Sequence, residues 1–185
     1  MPKPIIGILS GSTRSASMNR KLGLAVAHVF SNMGAKVQII DLCDYDMPMY
    51  NGDLEQAEGV PEAAKRLIAD LSACAGVFIS TPEYNGCMPA LLKNSIDWTT
   101  RVELGQFTGP IYGIGSATPG PLSGIMALRQ LHFILTRLGA QVVPTQLGVG
   151  LYGDAFSEDG RLSAASTLLR AEKLANQMLL AIKNR

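Results

Sequence analysis

Along this chain, short apolar runs alternate with stretches in which apolar residues return every three or four positions. PIIGIL opens the series, and its run Ile5–Leu9 predicts a strand. Leu22, Ala25, Val26, Val29 and Met33 then share one face of a helix, and Gly34 follows where a helix C-terminus favours glycine. The same alternation predicts strands at AKVQIID (35–41), GVFIST (76–81), PIYGIGSA (110–117) and QVVPTQ (141–146). Pro144 weakens the last of these and places it at a sheet edge. Helices are predicted from Pro61 to about Ala73, from Pro89 to about Thr99, and over 123–138 ahead of Gly139. A final helix over about 163–183 would bury Leu168, Ala171, Ala175, Met178, Leu179 and Ile182.

Five strands alternating with five helices imply right-handed crossovers, hence a doubly wound α/β fold with a parallel sheet and helices on both faces. Ligands of such sheets sit at the carboxyl ends of the strands, at the topological switch point. Three loops reach that edge, 10–17, 81–88 and 116–124, all rich in Gly, Ser, Pro or Asn. The connection 42–60 exceeds the length usual for a structureless loop. Its Tyr45, Met47, Met49 and Tyr50 suit either a wall over the binding edge or an irregular surface excursion.

Composition narrows the chemistry. The 185 residues allow one compact domain, 1–185, and 47% hydrophobic against 17% charged residues is a globular balance. A net charge of +1 without a basic stripe argues against nucleic acid. The sequence shows no apolar run near the roughly 18 residues of a membrane span and no signal-peptide pattern at its start. Cys43, Cys74 and Cys87 form no CxxC pair, which favours reduced thiols and a cytoplasmic location. With only His28 and His132 besides, the sequence offers little for a metal site.

In the first loop, Ser12, Thr13, Arg14, Ser15 and Ser17 precede a helix N-terminus, with Asn19 in its first turn. Hydroxyls, a guanidinium and free N–H groups together suit a phosphate monoester. This loop carries neither a Gly-Lys-Ser/Thr nor a GxGxxG pattern, so it is neither a Walker A nor a dinucleotide loop. A polar turn capped by Ser17, with Arg14 in solvent, accounts for the composition equally well. In the second loop, Pro82 and Asn85-Gly86 force a tight turn carrying Tyr84, whose backbone could read the edge of a planar heterocycle. An ordinary strand-to-helix connection is the plainer reading, and Glu83 has no neighbouring His or Lys to make an acid–base pair. The third loop, GSATPGPLSG (115–124), fits a close approach to a flat ligand or a plain turn. Cys87 lies among these residues, but a lone Cys without His is usually no nucleophile. Met126, Phe133 and Ile134 on the fourth helix suit an oligomer interface or sheet packing.

GSTRSASMN and TPEYNGCMPALLKNSIDW, at this order and separation, resemble the NADPH-dependent FMN reductase family of flavodoxin-like proteins, which includes bacterial quinone and chromate reductases. The resemblance extends over essentially the whole chain. It implies a five-stranded sheet of order 2-1-3-4-5, a bound FMN, and NADPH or NADH as co-substrate. Carried over by position, Ser12, Arg14, Ser17, Met18 (through its backbone) and Asn19 would hold the FMN phosphate. Pro82, Glu83, Tyr84, Asn85 and Gly86 would line the isoalloxazine ring, mostly through main chain, with Ser116 closing the other side. The resemblance further implies a homodimer or homotetramer and ping-pong transfer of two electrons to quinones, free flavin, azo compounds, ferric chelates or chromate. No side chain need be catalytic, because hydride passes through the flavin N5. Gly86-Cys87 and the Pro119/Pro121 loop depart from the family pattern, so acceptor preference does not carry over.

Two other classes compete. A flavodoxin-type electron shuttle would share the fold, but such carriers are usually strongly acidic and lack an arginine like Arg14. A binding module on the same fold would carry no flavin. A hydrolase is disfavoured, since no G-x-S-x-G elbow occurs.

Overall fold

A computed structural model describes residues 2–150 and 155–185. Its strands are β1 (Ile5–Ser10), β2 (Lys36–Asp41), β3 (Gly76–Ser80), β4 (Ile111–Thr118), β5 (Gln141–Val142) and β6 (Leu147–Gly150). All pairings are parallel, in the order β2-β1-β3-β4-β5, with β6 also on β4. This is the flavodoxin-like order 2-1-3-4-5 that the resemblance implied.

The fifth position differs from the expectation of one strand over 141–146. Gln141 and Val142 pair with Ile111 and Tyr112, the chain then leaves the ladder around Pro144, and Leu147–Gly150 returns to pair with Gly115–Thr118. Proline cannot donate to a ladder, so the strand breaks there into two pieces along one edge of β4.

The helices are α1 (Met18–Asn32), α2 (Gly52–Glu58), α3 (Glu62–Ser72), α4 (Ala90–Thr99), α5 (Gly105–Thr108), α6 (Ile125–Arg137) and α7 (Ala165–Lys183). Because strand side chains alternate between faces, the sheet has a core on each side. Ile6, Ile8, Phe78 and Ile111 meet Leu22, Val26 and Phe30 of α1 and Leu174 and Met178 of α7. On the other face Leu9, Val77, Ile79, Tyr112 and Ile114 meet Leu67 of α3, Leu92 of α4 and Leu131 of α6. Leu168, expected in the buried face of the last helix, is 37% exposed, and Leu174 is fully buried in its place.

The segment 42–60 is a packed strap rather than a loose excursion, and its Cys43 Sγ donates to Thr13 O of the first loop at 3.8 Å. It holds a 3₁₀ turn (Leu42–Asp44) and α2, and it straps onto α3 and α4. The Tyr45 hydroxyl donates to Asp70 at 2.5 Å, and burial with this acidic neighbour pushes the phenol pKa up. Trp98 Nε1 donates to the Pro48 carbonyl at 2.7 Å, and Asn94 both donates to Pro48 O and accepts from Tyr50 N–H. Arg101 reaches back to Glu55 at 2.9 Å and holds its carboxyl below the usual range.

Candidate functional site

Strands β1, β3 and β4 all end at the same edge, and the loops that follow them enclose a cavity of about 230 Å³. The first loop contributes Ser12, Arg14, Ser17, Met18 and Asn19. Pro82, Glu83 and Tyr84 come from the second, and Ala117, Thr118 and Pro119 from the third. The topology thus brings together residues 33 to 107 positions apart in a single pocket, at the point where the strand order reverses.

Ser17 is the N-cap of α1, its Oγ accepting from Asn19 N and Arg20 N. A hydroxyl that accepts in this way keeps its own proton for a further acceptor. The first turn of α1 contains no acidic residue, so the partial positive charge of the helix end is left for something negative. Arg14 is exposed and forms no ion pair with any described residue, whereas the nearby Arg20 is bound to Asp41 at 2.8 Å. Ser12 is nearly buried, at 6% exposure.

Asn19 serves a purpose that sequence reasoning missed. Its side-chain amide donates to Ala117 O and accepts from Ala117 N, both at 2.9 Å, with the residue 2% exposed. The amide is therefore committed to joining the start of α1 to β4. Ser80 Oγ donates to Asn19 O at 2.8 Å, which ties in β3 as well. Only the spacing of an asparagine two residues after a cap hydroxyl marked this position in the sequence, and its partner is 98 residues away.

Asn85 and Gly86 occupy left-handed conformations (φ 54° and 76°), and Tyr84 and Cys87 exchange N–H···O bonds of 2.8 and 3.0 Å around them. This is the two-residue hairpin turn for which Asn-Gly is the favoured pair. It holds Tyr84, 54% exposed, at the mouth of the cavity, while Asn85 and Gly86 form the tip and are not in its lining. Glu83 lines the cavity, with its carboxylate bonded to Met126 N and Ala127 N of α6. Ser116, expected to close the far side, is fully buried on the α6 face of β4; its Oγ lies against Gly124 and has no hydrogen-bond partner. The far side is lined by Ala117, Thr118 and Pro119, at the C-terminal end of β4 and just beyond it.

Among the described residues, no group of three or more His, Cys, Asp or Glu side chains could hold a metal ion, and no helix is long and apolar enough to cross a membrane. Cys43 and Cys87 are exposed thiols and Cys74 is buried.

The donor set fits a phosphorylated flavin: hydroxyls, a guanidinium and a helix N-terminus at one end, an aromatic-flanked backbone turn at the other. Comparisons with known proteins agree. The sequence model of the NADPH-dependent FMN reductase family matches residues 4–154. A quinone reductase of Escherichia coli K12 is 32% identical over 163 residues, covering 86% of this chain and 85% of that protein. An NAD(P)H-dependent FMN reductase of Pseudomonas aeruginosa is 30% identical over 177 residues, covering 94% and 88%. The fold matches that of FerB, a flavoenzyme NAD(P)H:(acceptor) oxidoreductase from Paracoccus denitrificans, with a TM-score of 0.83, 24% identity and 98% of each chain covered. A match over most of the chain, from β1 through all three loops, means that this protein belongs to the NADPH-dependent FMN reductase family of oxidoreductases.

Proposed function

We propose that the cavity binds FMN, and that the protein uses it to pass two electrons from NADPH or NADH to a small planar acceptor such as a quinone. The observation that carries this reading is Arg14, a guanidinium with no ion pair among the described residues, beside the capped and acid-free N-terminus of α1. A dianionic phosphate monoester is the ligand whose charge and acceptor count answer that arrangement.

Ser12, Arg14 and the Ser17 hydroxyl would bind the phosphate, together with the Met18 N–H at the helix start. Asn19 would act from behind, by fixing α1 against Ala117. Main chain over Pro82–Gly86 would lie along the ring, with Ala117–Pro119 opposite and Ser116 shaping that wall from within the core. The chemistry that FMN supplies when bound is storage of two electrons between donor and acceptor. The protein's part is orientation: Tyr84 at the open mouth leaves room for nicotinamide and acceptor to occupy one place in turn, which is ping-pong order. Acceptors in reach would include quinones, free flavin, azo compounds, ferric chelates and chromate, and the curated relatives include a quinone reductase and an NADPH azoreductase. We further propose a homodimer or homotetramer of cytoplasmic location, with exposed Met126 and Phe133 of α6 at an interface.

The test is an anaerobic absorbance spectrum of the purified protein supplemented with FMN. A flavin band that bleaches with NADPH or NADH and returns on adding a quinone supports the reductase. A band that neither nucleotide bleaches would instead indicate an electron shuttle served by a partner reductase.

A further inference from the structure

Helix α6 has no cap of its own. Its N-cap is Gly124, in the left-handed region at φ 73°, preceded by Ser123 at φ 52°, and no side chain of that turn bonds to the helix. The first N–H groups of a helix lack intrahelical partners and need an acceptor. Here the acceptor comes from another loop: Glu83 Oε2 receives Met126 N–H at 2.9 Å and Ala127 N–H at 3.1 Å. One turn further along α6, Gln130 Oε1 receives Met88 N–H at 3.1 Å, and its Nε2 donates to Cys87 Sγ at 3.3 Å. Both ends of the Glu83–Met88 hairpin are therefore fastened to one rigid helix.

From this geometry we infer that Glu83 and Gln130 are positioning residues, which set the gap between the two walls of the flavin cavity by clamping the 83–88 hairpin to α6. The third loop runs directly into α6 through Ser123 and Gly124, so the helix is common to both walls. Glu83 exchanges no proton in this role. Its carboxylate is spent on charge-assisted bonds to backbone N–H groups, which are about twice as strong as neutral ones and favoured at a helix N-terminus. The inference rests on the cavity being the flavin site, as proposed above, but the clamp itself is a property of the chain without ligand.

Two measurements separate those claims. Amide hydrogen exchange of the flavin-free protein reads the clamp, and titration with FMN reads its consequence. In Glu83→Ala, amides of 83–88 and 125–127 should exchange about tenfold faster than in the parent, as expected where local opening becomes easier. FMN affinity should fall about tenfold, or about 1.4 kcal/mol. Glu83→Gln keeps an acceptor oxygen and should restore both most of the way, and Gln130→Ala should loosen the Met88 end alone. Unchanged exchange and affinity in Glu83→Ala overturns the inference, as does a Glu83→Gln variant no better than alanine. If the alanine variant does not fold, the glutamine and Gln130→Ala variants decide on the same readouts. A parent that protects these amides yet binds no FMN would refute the flavin reading and leave the clamp standing.

Discussion

Arg14 and Cys74 make opposite demands on their surroundings. Arg14 waits on a partner, and the Arg14→Ala variant should weaken FMN binding by about 1.5–3 kcal/mol, the range for hydrogen bonds to charged groups. Arg14→Lys should recover part of it, since an ammonium keeps the charge and loses the fork; fluorescence titration of FMN measures both. Cys74 is 4% exposed behind β1, and burial pushes its thiol up to about 11 from 9.0. The unfolded chain ionises first as pH rises, so this residue's contribution is complete below about pH 9 and is lost between about 9 and 11. Removing that difference in Cys74→Ala should flatten the fall in stability over this window by roughly 2–3 kcal/mol, at about 1.4 kcal/mol per unit, when denaturant midpoints are compared across pH. Single residues were the least legible scale in the sequence. Ser17 as a cap could be read from its place before an apolar helix, but the commitment of Asn19 to Ala117 and of Glu83 to α6 depends on partners 98 and 43–44 residues away.

At the scale of elements, helical periodicity located every long helix, because each buries one face against the sheet. Short apolar runs located four strands, which the sheet's two cores cover on both faces. The pattern failed where burial is partial or brief. α2 has no buried residue and α5 spans four residues, so neither leaves a periodic trace. The split of the fifth strand was half visible: Pro144 announced a weakness, while the return of Leu147–Gly150 to β4 follows from pairing that local pattern does not encode. Joints between elements should be more sensitive than their middles. Asn19→Ala leaves the N–H and C=O of Ala117 buried without partners, and should cost roughly 2–4 kcal/mol of stability by denaturant melt. Gly124→Ala sets a methyl onto Ser116 Oγ in a left-handed conformation. It should destabilise by more than about 1 kcal/mol and disturb the third loop, seen as a lowered Tm together with weaker FMN binding.

For the whole molecule, the sequence resemblance was sufficient for fold and family because the two motifs sit on loops that the topology must bring to one edge. If FMN binds only the folded state, adding it at 100 times its Kd should stabilise the protein by about 2.7 kcal/mol. For a chain of this size that corresponds to a Tm increase of roughly 5–10 °C, readable by differential scanning calorimetry; no increase would mean that the cavity does not take FMN. The strap over α3 and α4 has a practical consequence as well. Trp98, the one tryptophan in the sequence, is wholly buried where it bonds Pro48 and meets the Tyr50 ring edge-on at 5.1 Å. It lies eight residues along α4, roughly 12 Å from the start of the helix, and it is outside the cavity lining. Its emission is therefore a lamp fixed in the scaffold: a red shift reports loss of the strap, and dimming on flavin addition reports energy transfer across a rigid distance, so one fluorescence channel separates unfolding from occupancy.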